Sequence, residues 1–135
     1  MTFTTQDLRI EKIKSLRTPE ELERLFPLLD DDKEKINSFR QTVNDIFDGK
    51  DNRLLAIVGP CSIHDTNAAL EYARKLKKLS EEVSDEFFVV MRTYFEKPRT
   101  ALGWKGLITD PFMDESYDID KGLEICRRLL LDITR

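Results

Sequence analysis

Apolar residues recur along this chain with two different periods, and the change of period falls near residue 50. Before it the spacing is helical. Thr18-Pro19-Glu20-Glu21 fits a capping box, with Thr18 as N-cap, Pro19 at the first helical position where its missing N–H costs nothing, and Glu21 reaching back to the cap. A short helix through about Phe26 is predicted. A second helix is predicted from the acidic run Asp30-Asp31-Asp32, which suits the positive end of a helix dipole. It sets Ile36, Phe39, Val43, Ile46 and Phe47 on one stripe that needs covering, and Gly49 supplies a left-handed stop.

After residue 50 the pattern alternates between strand and helix. Leu54 to Val58 is a continuous apolar run, short and partly β-branched, of the kind buried on both faces in a parallel sheet. It ends in the loop Gly59-Pro60-Cys61-Ser62-Ile63-His64-Asp65. A helix from about Asn67 to Ser80 follows, with Ala69, Tyr72, Ala73, Leu76 and Leu79 at helical spacing. A second strand, Phe87 to Met91, opens into a long loop from Thr93 to about Tyr117. The last predicted helix, about Ile119 to Ile133, buries Leu123, Cys126, Leu130 and Ile133. This βαβα order makes the two strands parallel. The fold class is therefore α/β, with a helical extension over residues 1–50 and two β/α units over 51–135. Two parallel strands leave unpaired edges and little apolar face, so the expectation is a truncated sheet.

Length sharpens that expectation. The chain has 135 residues, whereas a complete (β/α)₈ barrel takes about 250. Five glycines and five prolines exclude a low-complexity chain. No apolar run approaches the roughly 20 residues needed to cross a bilayer, and the N-terminus lacks the basic start and apolar core of a signal peptide. No membrane partner and a cytoplasmic location are the expectation. The net charge of −4 argues against nucleic-acid binding. Cys61 and Cys126 have no paired spacing, so neither a disulfide framework nor a zinc ribbon is indicated.

Ligands of parallel α/β folds sit outside the carboxyl ends of the strands, and both notable loops occupy that place. Cys61 there is either a soft metal ligand or nucleophile, or a small buried hydrophobe. His64, the only histidine, either pairs with Cys61 or is structural. Cys126, on an apolar helical stripe, is a core residue. Between Arg92 and Lys105 the cations Arg92, Lys97, Arg99 and Lys105 face only Glu96. Arg92, Lys97, Arg99 and Thr100 supply the bidentate, point-charge and hydroxyl donors that phosphates and carboxylates require, although a solvated loop has the same composition.

The segments Gly59 to Asp65, Met91 to Thr100 and Gly103 to Ile108, together with Asp7-Leu8-Arg9-Ile10, closely resemble the feedback-regulated microbial class of 3-deoxy-D-arabino-heptulosonate 7-phosphate (DAHP) synthase. The resemblance covers essentially the whole chain but only the N-terminal part of the family. It implies a (β/α)₈ barrel with an N-terminal extension, of which the two strands here are the first two. It also implies condensation of phosphoenolpyruvate with erythrose 4-phosphate, the first step of the shikimate pathway, with release of phosphate. By resemblance Cys61 is a ligand of the divalent metal (manganese, iron, cobalt or similar), and Arg92 holds phosphoenolpyruvate. Lys97 lies between the two substrates, binding them and assisting proton transfer as the catalytic residue, and Arg99 and Thr100 bind the erythrose 4-phosphate phosphate. His64 carries no role over.

The family's other metal ligands, a histidine, a glutamate and an aspartate from later strands, have no counterparts here. The resemblance thus implies a homo-oligomeric, aromatic-amino-acid-inhibited enzyme when full length, and a 135-residue chain inactive alone. Two other readings compete with it: a non-catalytic module that associates with intact synthase subunits, and a thiol enzyme using Cys61 and His64.

Overall fold

A computed structural model of the chain describes residues 13–97 and 103–135. Its elements run α1 (Pro19–Leu25), α2 (Asp30–Phe47), β1 (Leu54–Val58), α3 (Thr66–Glu82), β2 (Phe87–Met91) and α4 (Ile119–Thr134). The start signals act as the residues dictate. Thr18 Oγ1 accepts the Glu21 N–H at 3.3 Å and the Glu21 carboxylate accepts the Thr18 N–H at 2.9 Å, closing the capping box. Asp32 reaches back to the Leu29 N–H at 3.1 Å. Gly49 adopts φ +70° just past α2, and Asp65 caps α3 through the Asn67 and Ala68 N–H groups.

β1 and β2 pair in parallel, in register from Leu54 opposite Phe87 to Val58 opposite Met91. α3 makes the crossover and packs on β2 and α4, while α2 lies on β1 and α4. The expectation that β1 is buried on both faces is corrected. Leu54 and Ile57, on opposite faces by the two-residue alternation of a strand, are 64% and 63% exposed. An apolar run records what a strand requires to be covered, and the described residues close neither face. Phe39 and Phe47 on α2 are likewise half or more exposed, although the Phe39 ring meets Phe88 edge-on at 6.0 Å. A groove of about 870 Å³ runs along β2, walled by Ile36, Phe39 and Val43 of α2 and by Ile133.

The core lies beyond the carboxyl ends of the strands. Ile63, Ala69, Leu107, Cys126 and Leu129 are buried together, with Phe95, Trp104 and Ile108 packed against them. This corrects part of the inward row of α4. Cys126 is buried and Ile133 packs against the core as expected, but Gly122 and Leu129 face the core beside them, while Leu130 is exposed and Leu123 is half-buried. The helix is turned by about one row because Gly122 sits directly on the Ile108 backbone.

The N-terminal segment is tied to α4 by polar contacts. The Arg17 guanidinium pairs with Glu124 at 2.9 Å and the Arg17 N–H donates to Asp120 at 3.0 Å. Arg127 donates to the Phe26 carbonyl at 3.3 Å, and Arg135 pairs with Asp32 at 3.0 Å. The hydrogen bond from Arg135 holds the buried Asp32 carboxyl below its usual range. Among the described residues, no helix is long and apolar enough to cross a membrane.

Candidate functional site

Where the strands end, their two exit loops are joined by backbone hydrogen bonds. The Arg92 N–H donates to the Val58 carbonyl at 2.7 Å, and the Ile63 N–H donates to the Tyr94 carbonyl at 2.7 Å. Gly59 permits this approach. A Cβ there would collide with the Arg92 carbonyl oxygen and stand 2.9 Å from the Arg92 Cβ. Buried Ile63 anchors the first loop in the core.

Arg92 is fixed by that arrangement. Its Nη1 donates to the carbonyls of Pro60 at 2.6 Å and Cys61 at 2.9 Å, and its guanidinium lies 4.6 Å from the Tyr94 ring centroid. Nε and Nη2 have no acceptor among the described residues, so donors of an ordered cation are left for an anionic ligand.

Lys97 is delivered by a short hairpin. Its N–H donates to the Lys105 carbonyl at 3.1 Å, and the Leu107 N–H donates to the Phe95 carbonyl at 2.8 Å, flanking the antiparallel bridge between Glu96 and Gly106. Gly106 has φ +126°, and a Cβ on it would meet the Phe95 carbonyl oxygen at 2.5 Å. Lys97 Nζ lies 4.0 Å from Cys61 Sγ. Residues from the two strand exits therefore converge: Cys61 from the first, Arg92 and Lys97 from the second. Arg99 and Thr100 lie outside the described residues.

Other residues divide between structure and site. His64 does not bond to Cys61; its ring meets Trp104 edge-on, with centroids 6.4 Å apart at 83°. The Trp104 indole donates to the Asp110 carbonyl at 2.7 Å. Sequence reasoning passed over Gly59, Tyr94 and Trp104. A glycine at the last residue before a loop proline was the available signal for the first. Nothing local pointed to the other two, whose contacts with the first loop, Tyr94 to Ile63 and Trp104 to His64, join residues distant in sequence.

The cysteines differ as sharply as their settings. Cys61 is exposed, whereas Cys126 is buried and its thiol is pushed up to about 12, first by desolvation and then by the Glu96 charge. Iodoacetamide at pH 8 is therefore expected to alkylate Cys61 in the folded chain and spare Cys126. Peptide mass analysis measures this, and equal labelling of both would contradict the burial of Cys126.

The donor set sets a limit on metal binding. No three His, Cys, Asp or Glu side chains among the described residues come together as a metal-holding group. Cys61 offers one soft donor beside the Lys97 ammonium, and hard or borderline divalent ions need several donors in fixed geometry. The described residues do not form a metal site by themselves.

Residues 27–131 match the DAHP synthetase I family. The chain is 55% identical over 118 residues to the Tyr-sensitive phospho-2-dehydro-3-deoxyheptonate aldolase of Escherichia coli K12, covering 87% of this chain and 33% of the relative. It is 51% identical over 133 residues to the Phe-sensitive enzyme of the same strain, covering 98% and 38%. Among solved structures, the phospho-2-dehydro-3-deoxyheptonate aldolase of Francisella tularensis SCHU S4 superposes with a TM-score of 0.87 at 47% identity, covering 93% of this chain and 37% of that one. The chain thus spans 33% to 38% of the length of these relatives. With the match running from α2 through α4 and the same backbone at high identity, the chain belongs to the DAHP synthetase I family.

Proposed function

We propose that this chain forms part of a DAHP synthase, which joins phosphoenolpyruvate to erythrose 4-phosphate with uptake of one water and releases phosphate. The observation that carries the reading is the convergence of Arg92, Lys97 and Cys61 at the carboxyl ends of two parallel strands. Arg92 holds phosphoenolpyruvate through its remaining donors. Lys97, between the substrates, places an ammonium where the attacked aldehyde oxygen gains negative charge, and can give that oxygen a proton. Arg99 and Thr100 hold the erythrose 4-phosphate phosphate. Cys61 contributes one ligand to a divalent metal whose other donors lie outside the described residues.

Residues 51–135 are proposed as the first two β/α units of a (β/α)₈ barrel and residues 1–50 as its helical extension. The parallel pair and the groove along β2, open to a further strand, support this. The exposed Ile13, Leu25 and Leu29 of the extension support contact between copies of the chain. Inhibition by an aromatic amino acid is proposed from relatives named Tyr-, Phe- and Trp-sensitive. A cytoplasmic location goes with the same reading.

The test is DAHP formation and phosphate release by the natural gene product with both substrates and manganese. Arg92→Ala is expected to lower kcat/KM at least about 100-fold, because the site loses a charged donor pair. The 135-residue chain alone is expected not to turn over. A natural product inactive with manganese, iron and cobalt alike would sink the reading.

A further inference from the structure

We infer that Trp104 is a positioning residue that fixes the hairpin carrying Lys97 against the loop carrying Cys61. The consequence for turnover rests on the proposed synthase reading; the mechanical claim stands on geometry alone.

A lysine is a flexible stem, so its ammonium is placed only as well as the backbone beneath it. The backbone beneath Lys97 is a two-stranded piece held by the Lys97 to Lys105 and Leu107 to Phe95 hydrogen bonds. Such a piece has little stability in water without something to pack on. Trp104 supplies it from the returning arm. Its indole N–H donates to the Asp110 carbonyl at 2.7 Å, and the Asp110 N–H donates to the Gly106 carbonyl at 2.9 Å. The end of the hairpin is thereby stitched to the segment that follows it. Asp110 is buried, so loss of the indole leaves its carbonyl without solvent to replace the donor.

The indole also reaches the other loop. Its ring packs against the core cluster that contains Ile63, and it takes the edge-to-face contact with His64. Ile63 and His64 belong to the same loop as Cys61. One side chain therefore touches the supports of both partners in the 4.0 Å contact between Lys97 and Cys61. Arg92 keeps anchors that do not run through Trp104: its N–H donates to the Val58 carbonyl at the end of β1, and its guanidinium lies against the Tyr94 ring.

That independence gives the test. In the natural gene product, Trp104→Phe keeps a ring and removes the N–H, and Trp104→Ala removes both. Steady-state kinetics are expected to show kcat lower by about tenfold in Trp104→Phe and about 100-fold in Trp104→Ala, the scale of a misplacement near 1 Å. KM for erythrose 4-phosphate should rise while KM for phosphoenolpyruvate stays within about twofold, since Arg92 keeps its place. A purely structural role would instead reduce the number of titratable active sites and leave both KM values alone.

Amide hydrogen exchange supplies a readout that needs no activity. In Trp104→Phe the amides of Ile63, Lys97 and Leu107 are expected to exchange faster, with those of β1 and β2 unchanged. Should Trp104→Ala fail to fold, Trp104→Phe alone decides. Faster local exchange in Trp104→Phe, together with a wild-type product that condenses nothing, would overturn the synthase reading and uphold the positioning role. Unchanged exchange, or a rise in both KM values together, would overturn the positioning role whatever the enzyme does.

Discussion

Gly122→Ala is expected to destabilise the fold by about 3 kcal/mol or more, although helix propensity by itself predicts a gain. In the interior of a helix, alanine is better than glycine by about 0.8–1 kcal/mol. Gly122 lies in the first turns of α4, so a reading of the helix alone marks it as a weak point to be repaired. The packing reverses that sign. A Cβ at Gly122 would collide with the Ile108 carbonyl oxygen and stand 2.6 Å from its carbon and 2.8 Å from the Ile108 Cα. All three atoms are backbone, so no side-chain rotation relieves the overlap. The helix would have to lift away from the segment it covers, and Cys126 and Leu129 follow on the same row. Overpacking of a tight core typically costs 1–3 kcal/mol, and about the upper end or beyond applies where backbone must move. Urea denaturation is the measurement: the midpoint should fall with little change in slope. A variant as stable as the parent, or more so, would show that α4 and the Ile108 segment are not in contact.

Gly59→Ala is expected to cost at least about 100-fold in turnover, for a related reason in a different place. Restricting the unfolded chain by adding a methyl group favours the variant by about 0.4–1 kcal/mol. Against this, the new Cβ would occupy the space of the Arg92 carbonyl oxygen and crowd the Arg92 Cβ at 2.9 Å. The strand exits must separate. The Arg92 N–H then leaves the Val58 carbonyl, and the Arg92 guanidinium is drawn off the Pro60 and Cys61 carbonyls. Both strand-exit loops shift together, so on the proposed synthase reading kcat and KM for phosphoenolpyruvate should both suffer, unlike in the Trp104 variants. Kinetics on the soluble, folded fraction check this, and parental kcat/KM in that fraction would show that the close approach of the loops is dispensable.

Much of this architecture is legible in local chemistry. The capping box at Thr18, the acidic start of α2, the stop at Gly49 and the two five-residue strands all lie where the sequence predicts them. α3 runs from Thr66 to Glu82 rather than from about Asn67 to Ser80, a difference of frayed ends. Parallel pairing follows from a helix between strands and is observed. The face of α4 was less legible. Leu123, Cys126, Leu130 and Ile133 form an apolar row as good as the one actually buried, and only the fit of Gly122 on Ile108 selects between them. The cationic loop was legible as a set of residue types, but Lys97 reaches Cys61 through a hairpin whose Glu96–Gly106 bridge and Trp104–Asp110 stitch have no local signature.

The sequence by itself determined which segments are helix and strand, that the strands run parallel, and which residues carry charge at the strand exits. Those properties are short-range: caps, periodicity and residue chemistry act within a few positions. Only the tertiary structure decided that the core sits beyond the strand ends, that β1 is left largely uncovered, and that Arg92, Lys97 and Cys61 share one place. Those properties depend on backbones touching across long loops. Glycine, which has no side chain to advertise a partner, is the residue that lets them touch.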